Sequence, residues 1–173
     1  MPDGGRRQAR ERALSLLYEA ESKDVAPRDV LAQLPVEPDP FTVALLCGVT
    51  EHLADIDGLI TTYARDWTID RMPALDRALL RMAIYELAHR PDVPTGAVIS
   101  EAVELAHRFS TDESGRFVNG MLARIAEAVR PGSPVGTRSQ AEPVYAETVG
   151  ADPAVDDQAA AGQMVEHGLD QEW

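Results

Sequence analysis

Three arginines near the start of the chain are the residues whose type and spacing most clearly suggest binding chemistry. Arg6, Arg7 and Arg10 lie where an amphipathic helix is predicted to begin, and the helix dipole disfavours each cation there by about a few tenths of a kcal/mol. This placement suggests an anionic ligand that offsets the cost, with a frayed and solvated terminus as the alternative. Tyr18 falls in the same sector as Arg7 and Arg10, which spans about 80° at 100° per residue.

Side chains for catalysis or metal binding do not occur at the spacings that such sites require. Glu101, Glu104 and His107 resemble half of a di-iron motif, but no matching carboxylates are found on other helices, so a solvated helix face is favoured. The histidines do not fall at metal-ligand spacing with carboxylates, and Cys47 is the single cysteine. No phosphate-binding glycine loop or GxSxG motif is present. We therefore predict a protein that is not an enzyme and that holds no metal or cofactor.

The chain is acidic, and its net charge of −13 is unevenly distributed. Residues 131–173 contain one basic residue, Arg138, against eight acidic ones, for a net charge of −7, which leaves −6 for residues 1–130. So acidic a chain is unsuited to tight, independent binding of nucleic acid, because phosphate neutralisation needs clustered Lys and Arg. The N-terminus lacks the apolar segment of a secretory signal, and no apolar run reaches membrane-spanning length. These features predict a cytoplasmic protein that does not enter a membrane.

The element that must position the candidate residues is a helix predicted over residues 73–90, with prolines near both ends. Its apolar side chains cover almost the whole circumference at helical spacing, and only a strip through Arg77 and Arg81 is clearly polar. Such a helix has to be surrounded by other helices. Glu86 lies on an otherwise apolar side, so it either reaches an edge or pairs with a buried donor.

Further helices are predicted around this one from apolar residues at helical spacing. Their apolar residues lie within 6–22, 27–34, 41–64, 98–109 and 117–129, with Asp39 and Pro40 as N-cap and first residue of the third helix and a short helical turn at 67–72. Gly48 and Gly58 mark either a close neighbour or a local break, and the N-cap of the last helix is Ser110, Thr111 or Asp112. We predict an all-α bundle of about six or seven helices, in two packed sub-bundles that share the central helix.

Helical periodicity ends at Pro131. Residues 1–130 are therefore predicted to form the helical domain. Residues 131–173 are rich in Pro, Gly, Ala and acidic residues, and this composition predicts a disordered acidic tail.

Several segments, taken together and in order, resemble the NusB family of transcription antitermination factors. The strongest are RRQARE at 6–11, LDRALLRMAIYEL at 75–87 and FVNGML at 117–122. DVP at 92–94, AVISEAVELA at 97–106 and the acidic turn before Phe117 fit as well. Each motif alone is only a helical pattern, but the combination is specific and covers about residues 6–130.

The resemblance implies a cytoplasmic, non-enzymatic, all-α protein that forms a heterodimer with the ribosomal protein NusE. The heterodimer would bind single-stranded boxA RNA in ribosomal RNA leader transcripts. With other Nus factors it would load onto RNA polymerase, and transcription would then resist premature termination. A basic ribosomal partner would also supply the positive charge that this acidic chain lacks.

The resemblance implies a set of RNA-binding residues. Tyr18 is added to this set because it shares a helix sector with Arg7 and Arg10. The matching positions are Arg6, Arg7, Arg10, Tyr63, Arg81 and Arg116. Gln8 stands where some relatives have another arginine, which weakens the basic patch. Tyr18 and Tyr63 are either stacking platforms for bases or packing edges.

The resemblance also assigns Asp76, Glu113 and Phe117 to the partner interface. Acidic residues at helix starts would attract a basic partner. Asp76 alternatively does no more than stabilise its own helix N-terminus, and Phe117 alternatively belongs to the core. The acidic tail either aids solubility alone or competes with RNA for the basic end.

Three other classes of protein make different demands on the sequence. The targeting domain of an RNA cytosine methyltransferase would need a large α/β domain after residue 130, where only 43 residues remain. A helix-turn-helix DNA binder would need a basic recognition helix, which the pattern lacks. A helical homodimer with a structural or regulatory role and no direct RNA binding stays open.

Overall fold

The computed structural model describes residues 3–64 and 68–133, and within these ranges the chain forms seven α-helices, one short 3₁₀ helix and no strand. The α-helices are α1 (Asp3–Ser22), α2 (Pro27–Ala32), α3 (Pro40–Glu51), α4 (Leu53–Tyr63), α5 (Ala74–His89), α6 (Thr95–Phe109) and α7 (Asp112–Val129), and the 3₁₀ helix covers Ile69–Arg71. The predicted all-α fold is confirmed. The predictions for Trp67 and for tail residues 134–173 lie outside the described residues.

Helix α5 is the central element, as its apolar circumference predicts. It packs against α1, α3, α4, α6 and α7. Leu80, Ile84 and Leu87 are almost completely buried, and they join one continuous hydrophobic core with side chains of the surrounding helices. Helices α1, α2 and α3 pack on one another, while α7 packs against α6 and α4, so α5 is shared by two groups of helices.

The single helix predicted over residues 41–64 is divided in the structure at His52, which ends α3 and precedes α4. The sequence shows no proline or glycine at this position, and the apolar stripe continues through the break. Gly48 marks a close neighbour, as one of the two expectations had it, because a Cβ there would overlap the ring of Tyr85. Gly58 has open space at the same position.

Three aromatic rings stack beside this break. The ring of His52 lies 3.7 Å from that of His89, and the ring of Tyr85 lies 5.5 Å from that of His89, centroid to centroid. Burial, followed by the proximity of His52, lowers the pKa of His89, while Asp55 acts in the opposite direction.

Side chains at both ends of α7 bind backbone groups. Thr111 is the N-cap of α7, and its hydroxyl accepts a hydrogen bond from the backbone N–H of Ser114 at 3.1 Å. At the other end of α7, the guanidinium of Arg130 donates to the carbonyl oxygens of Glu86, Leu87, Arg90 and Val93 at 2.6–2.8 Å. Arg130 therefore adds side-chain donors at the C-terminus of α5, where the last carbonyl oxygens of a helix lack partners within it.

No helix within the described ranges is long and apolar enough to span a bilayer.

Candidate functional site

The three predicted N-terminal arginines point to different places around α1. Arg10 is only 4% exposed, and its guanidinium forms two hydrogen bonds with Glu86 of α5, at 2.8 and 2.7 Å. Glu86 thus pairs with a buried donor, which was one of the two expectations for it. Arg10 anchors α1 to α5 in this structure, and its RNA contact stays a prediction that requires the pair to open.

Arg7 is exposed and lies on the side of α1 that faces α6. Its guanidinium donates to both carboxylate oxygens of Glu101, with the closest contact at 2.8 Å. This hydrogen bond, followed by the charge of Glu101, raises the pKa of Arg7. The guanidinium of Arg7 is therefore charged, lies at the surface and is oriented by its hydrogen bonds to Glu101 of α6.

A groove of about 690 Å³ runs beside Arg7 between α1 and α6. Its lining residues are Arg7, Gln8, Glu11, Arg12, Ser15 and Arg108. Arg108 donates to Glu11 at 2.7 Å, whereas Arg12 is exposed and forms no ion pair among the described residues. The groove thus presents three guanidinium groups, of which two form hydrogen bonds with carboxylates.

Two exposed aromatic rings lie on the helices that form this groove, outside its lining. Tyr18 is 44% exposed and lies on the same stripe of α1 as Arg7, three turns further along. Phe109 at the end of α6 is 41% exposed, and the guanidinium of Arg108 lies 4.9 Å from the centre of its ring.

Arg12, Arg108 and Phe109 were missed as candidate residues. Arg12 had a usable signal, because it is the fourth arginine within the first twelve residues. Arg108 reaches the groove, and brings Phe109 near it, only through the packing of α6 near α1, which the sequence pattern does not give.

Arg6 lies on the opposite side of α1 from the groove, near Phe41 of α3. The guanidinium carbons of Arg6, Arg10 and Arg90 lie 5.5, 5.4 and 5.1 Å from the centre of the Phe41 ring. Asp92 bridges two of these cations, with Oδ1 3.0 Å from Nε of Arg90 and Oδ2 3.6 Å from Nη2 of Arg6. Hydrogen bonding by Arg90 is the main reason why the pKa of Asp92 is lowered.

Arg81 and Tyr63 are only partly exposed. Arg81 donates two hydrogen bonds of 2.8 Å to Asp57 of α4, and it also reaches Glu21 of α1 at 3.2 Å. Arg77 binds the same Glu21. The polar strip of α5 is therefore occupied by carboxylates of α1 and α4, and RNA contact by Arg81 stays a prediction. Tyr63 packs against the core.

The predicted partner residues come together at the N-termini of α5 and α7. Asp76 is 3% exposed, and its Oδ2 accepts a hydrogen bond of 2.8 Å from the hydroxyl of Ser114. Its Oδ1 has no hydrogen-bond partner among the described residues. Glu113 is exposed one residue before Ser114, and Phe117 is half-buried against the core one turn later. Arg116, from the predicted RNA set, is exposed on this same turn of α7.

These features define an all-helical protein whose candidate sites are open surfaces: the α1–α6 groove and the paired N-termini of α5 and α7. The NusB family model matches residues 7–127. The transcription antitermination protein NusB of Kineococcus radiotolerans is 51% identical over 126 residues, which cover 70% of this chain and 93% of that relative.

Solved structures agree with this match. NusB of T. maritima superposes with a TM-score of 0.66 at 33% identity, covering 75% of this chain and 93% of that one. A structure described as antitermination factors NusB and NusE in complex with dsRNA matches with a TM-score of 0.60 at 25% identity, covering 73% and 98%. The chain belongs to the NusB family of transcription antitermination proteins.

Proposed function

We propose that this chain acts in transcription antitermination by binding single-stranded boxA RNA of ribosomal RNA transcripts together with the ribosomal protein NusE. With other Nus factors it would help RNA polymerase to resist premature termination. Its role would be that of a binding protein in the cytoplasm and not of an enzyme. Support comes from family membership and from the solved relative that contains NusB, NusE and RNA.

The observation that carries the RNA part is the α1–α6 groove. It is lined by the guanidinium groups of Arg7, Arg12 and Arg108. Two exposed rings lie on the same two helices outside the lining: Tyr18 further along α1 and Phe109 next to Arg108 on α6. Guanidinium groups bind phosphates through bidentate hydrogen bonds. RNA can exchange the Glu101 and Glu11 carboxylates for phosphate at little cost, because exposed ion pairs are weak.

The exposed aromatic rings favour a single strand as the ligand. Unpaired bases can stack on Tyr and Phe rings or on guanidinium planes, whereas bases inside a duplex are already stacked. The related complex contains double-stranded RNA, so a comparison of the two RNA forms is part of the test.

The proposed NusE surface consists of Glu113, Asp76 and Phe117 at the adjoining helix N-termini of α5 and α7. The exposed carboxylate of Glu113 would attract a basic partner. The free Oδ1 of Asp76 is a buried acceptor without a hydrogen bond among the described residues, which is costly unless a donor reaches it. A donor from NusE would remove that cost, and Phe117 would add apolar contact.

A fluorescence-anisotropy titration tests the proposal. Labelled single-stranded boxA RNA is titrated with this chain alone, with NusE alone and with an equimolar mixture. We expect the mixture to bind much more tightly than either protein, and to prefer the single strand over the same sequence in a duplex. Equal affinities with and without NusE would contradict the heterodimer, and a preference for the duplex would contradict the single-strand assignment.

A further inference from the structure

We propose that the cavity beside Phe41 is a second RNA contact, which holds one nucleotide of the strand that the α1–α6 groove binds. The cavity has a volume of about 290 Å³ and is lined by Gly5, Arg6, Asp39, Pro40, Phe41 and Arg90, together with Ala44. This inference rests on the proposed function, because it extends the path of the same RNA.

The walls and the charges of the cavity suit a nucleotide. Pro40, Phe41 and Ala44 provide an apolar wall against which a base can pack, beside the guanidinium groups that already lie over the Phe41 ring. Arg6 and Arg90 lie at the mouth, near enough to the Phe41 ring for cation–π contact. Their guanidinium planes offer further stacking surface for a base and hydrogen-bond donors for its phosphate.

Asp92 now occupies the position that the phosphate would take. Its two carboxylate oxygens lie against Arg90 and Arg6, in the manner of an oxyanion between two guanidinium groups. The side chain of Asp92 is 48% exposed, so a phosphate can displace it without opening the core. Displacement of Asp92 does not require the buried Arg10–Glu86 pair to open.

Asp39 is the carboxylate residue that lines the cavity, and it selects against a purely anionic ligand. Its Oδ1 accepts a hydrogen bond of 2.8 Å from the backbone N–H of Phe41, so it is held at the rim. A base that carries an N–H donor can approach Asp39, whereas an acidic peptide would be repelled. The cavity therefore fits a base and its phosphate together better than an isolated anion.

The position of the cavity connects it with the groove. Arg6 and Arg7 are adjacent residues, yet Arg6 faces the cavity and Arg7 lines the groove. A single strand that crosses the first turn of α1 would meet both residues in succession. The cavity would thus hold a nucleotide near one end of the bound segment.

The test compares full-length boxA RNA with RNAs shortened by one nucleotide at either end, each with the NusE mixture. For the full-length RNA, Arg90→Gln and Phe41→Leu are expected to weaken binding on the order of tenfold, the size typical of one stacked base. Shortening the end that reaches the cavity should weaken wild-type binding equally and abolish the difference between wild type and variants.

A gain-of-affinity variant separates this site from structural damage. Asp92→Asn removes the carboxylate that competes with phosphate, and we expect RNA affinity to rise about threefold. Asp29→Asn, an exposed aspartate on α2, makes the same charge change elsewhere and should alter affinity much less. Circular dichroism verifies that Phe41→Leu folds. If Phe41→Leu does not fold, the RNA affinity of Arg90→Gln alone tests the cavity.

The outcomes are distinguishable. If wild type with NusE does not bind RNA, both the proposed function and this inference are overturned. If it binds but Arg90→Gln, Phe41→Leu and Asp92→Asn bind equally well, only the nucleotide site is overturned. NusE binding by each variant is measured separately without RNA. Loss of NusE binding there would assign the cavity to a protein ligand and would also overturn the nucleotide site.

Discussion

Arg10 and Glu86 form a buried, bidentate ion pair that joins α1 to the central helix α5. Their side chains are 5% and 1% exposed, and two hydrogen bonds of 2.8 and 2.7 Å connect them. The residues are 76 positions apart in the sequence. The pair holds the N-terminal half of α1, which carries the other arginines, against the core.

We predict that Arg10→Ala lowers the free energy of unfolding by about 3–5 kcal/mol, because it leaves the Glu86 carboxylate buried and unpaired. Urea denaturation measures this change. Replacing both residues, Arg10→Met with Glu86→Leu, should recover much of the loss. Lys23→Ala, which removes an exposed pair with Glu19, is the control and should change stability by about 1 kcal/mol or less. RNA binding by the folded double variant would identify Arg10 as a positioning residue and not an RNA contact.

Arg12 is predicted to contact RNA although it forms no ion pair among the described residues that would orient its guanidinium. Arg12→Ala should weaken RNA binding by the NusE mixture and reduce the salt dependence of affinity by about one phosphate contact, with the urea midpoint unchanged. Anisotropy titrations at several salt concentrations measure both effects. Arg28→Ala, which removes an exposed arginine of α2, is the matched control. The same salt slope for Arg12→Ala and wild type would remove Arg12 from the RNA surface.

Glu113 should govern NusE binding without governing stability. Glu113→Lys reverses an exposed charge at the start of α7, so we expect slower association with NusE and a weaker complex. Surface plasmon resonance with immobilised NusE gives both rates. Glu127→Lys makes the same change near the other end of α7. Equal effects of the two variants would show that only total charge matters and that the α5–α7 N-termini are not the interface.

Stability should fall between about pH 7 and pH 5 because of His89. The folded state lowers the pKa of this imidazole, so the unfolded chain binds more protons below its ordinary pKa of about 6.5. The free energy of unfolding therefore decreases as the pH falls through this range. In His89→Gln the decrease should be smaller, as urea midpoints at several pH values will reveal. An unchanged pH profile would contradict the contribution of His89, whose pKa is lowered by burial and then by the proximity of His52.

Removal of residues 134–173 should leave the melting temperature nearly unchanged, because the hydrophobic core of the described residues lies before this segment. The removed segment carries a net charge of −7, so RNA affinity should rise at low salt and converge with that of the full chain at high salt. Calorimetry and salt-dependent titrations provide the two readouts. A large drop in melting temperature would contradict the prediction that this segment is a separate, disordered tail.

The central helix was predictable from sequence because burial on every side leaves a clear pattern in residues 73–90. The break at His52 was not, since no proline or glycine marks it and the apolar stripe crosses it. For the candidate RNA surface, the sequence predicted that arginines contribute but not which carboxylates contact them. Arg7 and Glu101 are 94 positions apart, and local periodicity carries no information about such a pair. For the same reason, sequence spacing placed Arg7 and Arg10 in one sector, but only packing determines that one is exposed and the other buried.

The capping role of Arg130 links the end of the helical domain to its centre. The guanidinium that satisfies the C-terminus of α5 is supplied by the residue directly after α7. During synthesis, a nascent chain that ends before this residue has made all of α5 but lacks the side-chain donors that bind its last carbonyl oxygens. These contacts between the end of the helical domain and its central helix are therefore completed only when Arg130 has been translated.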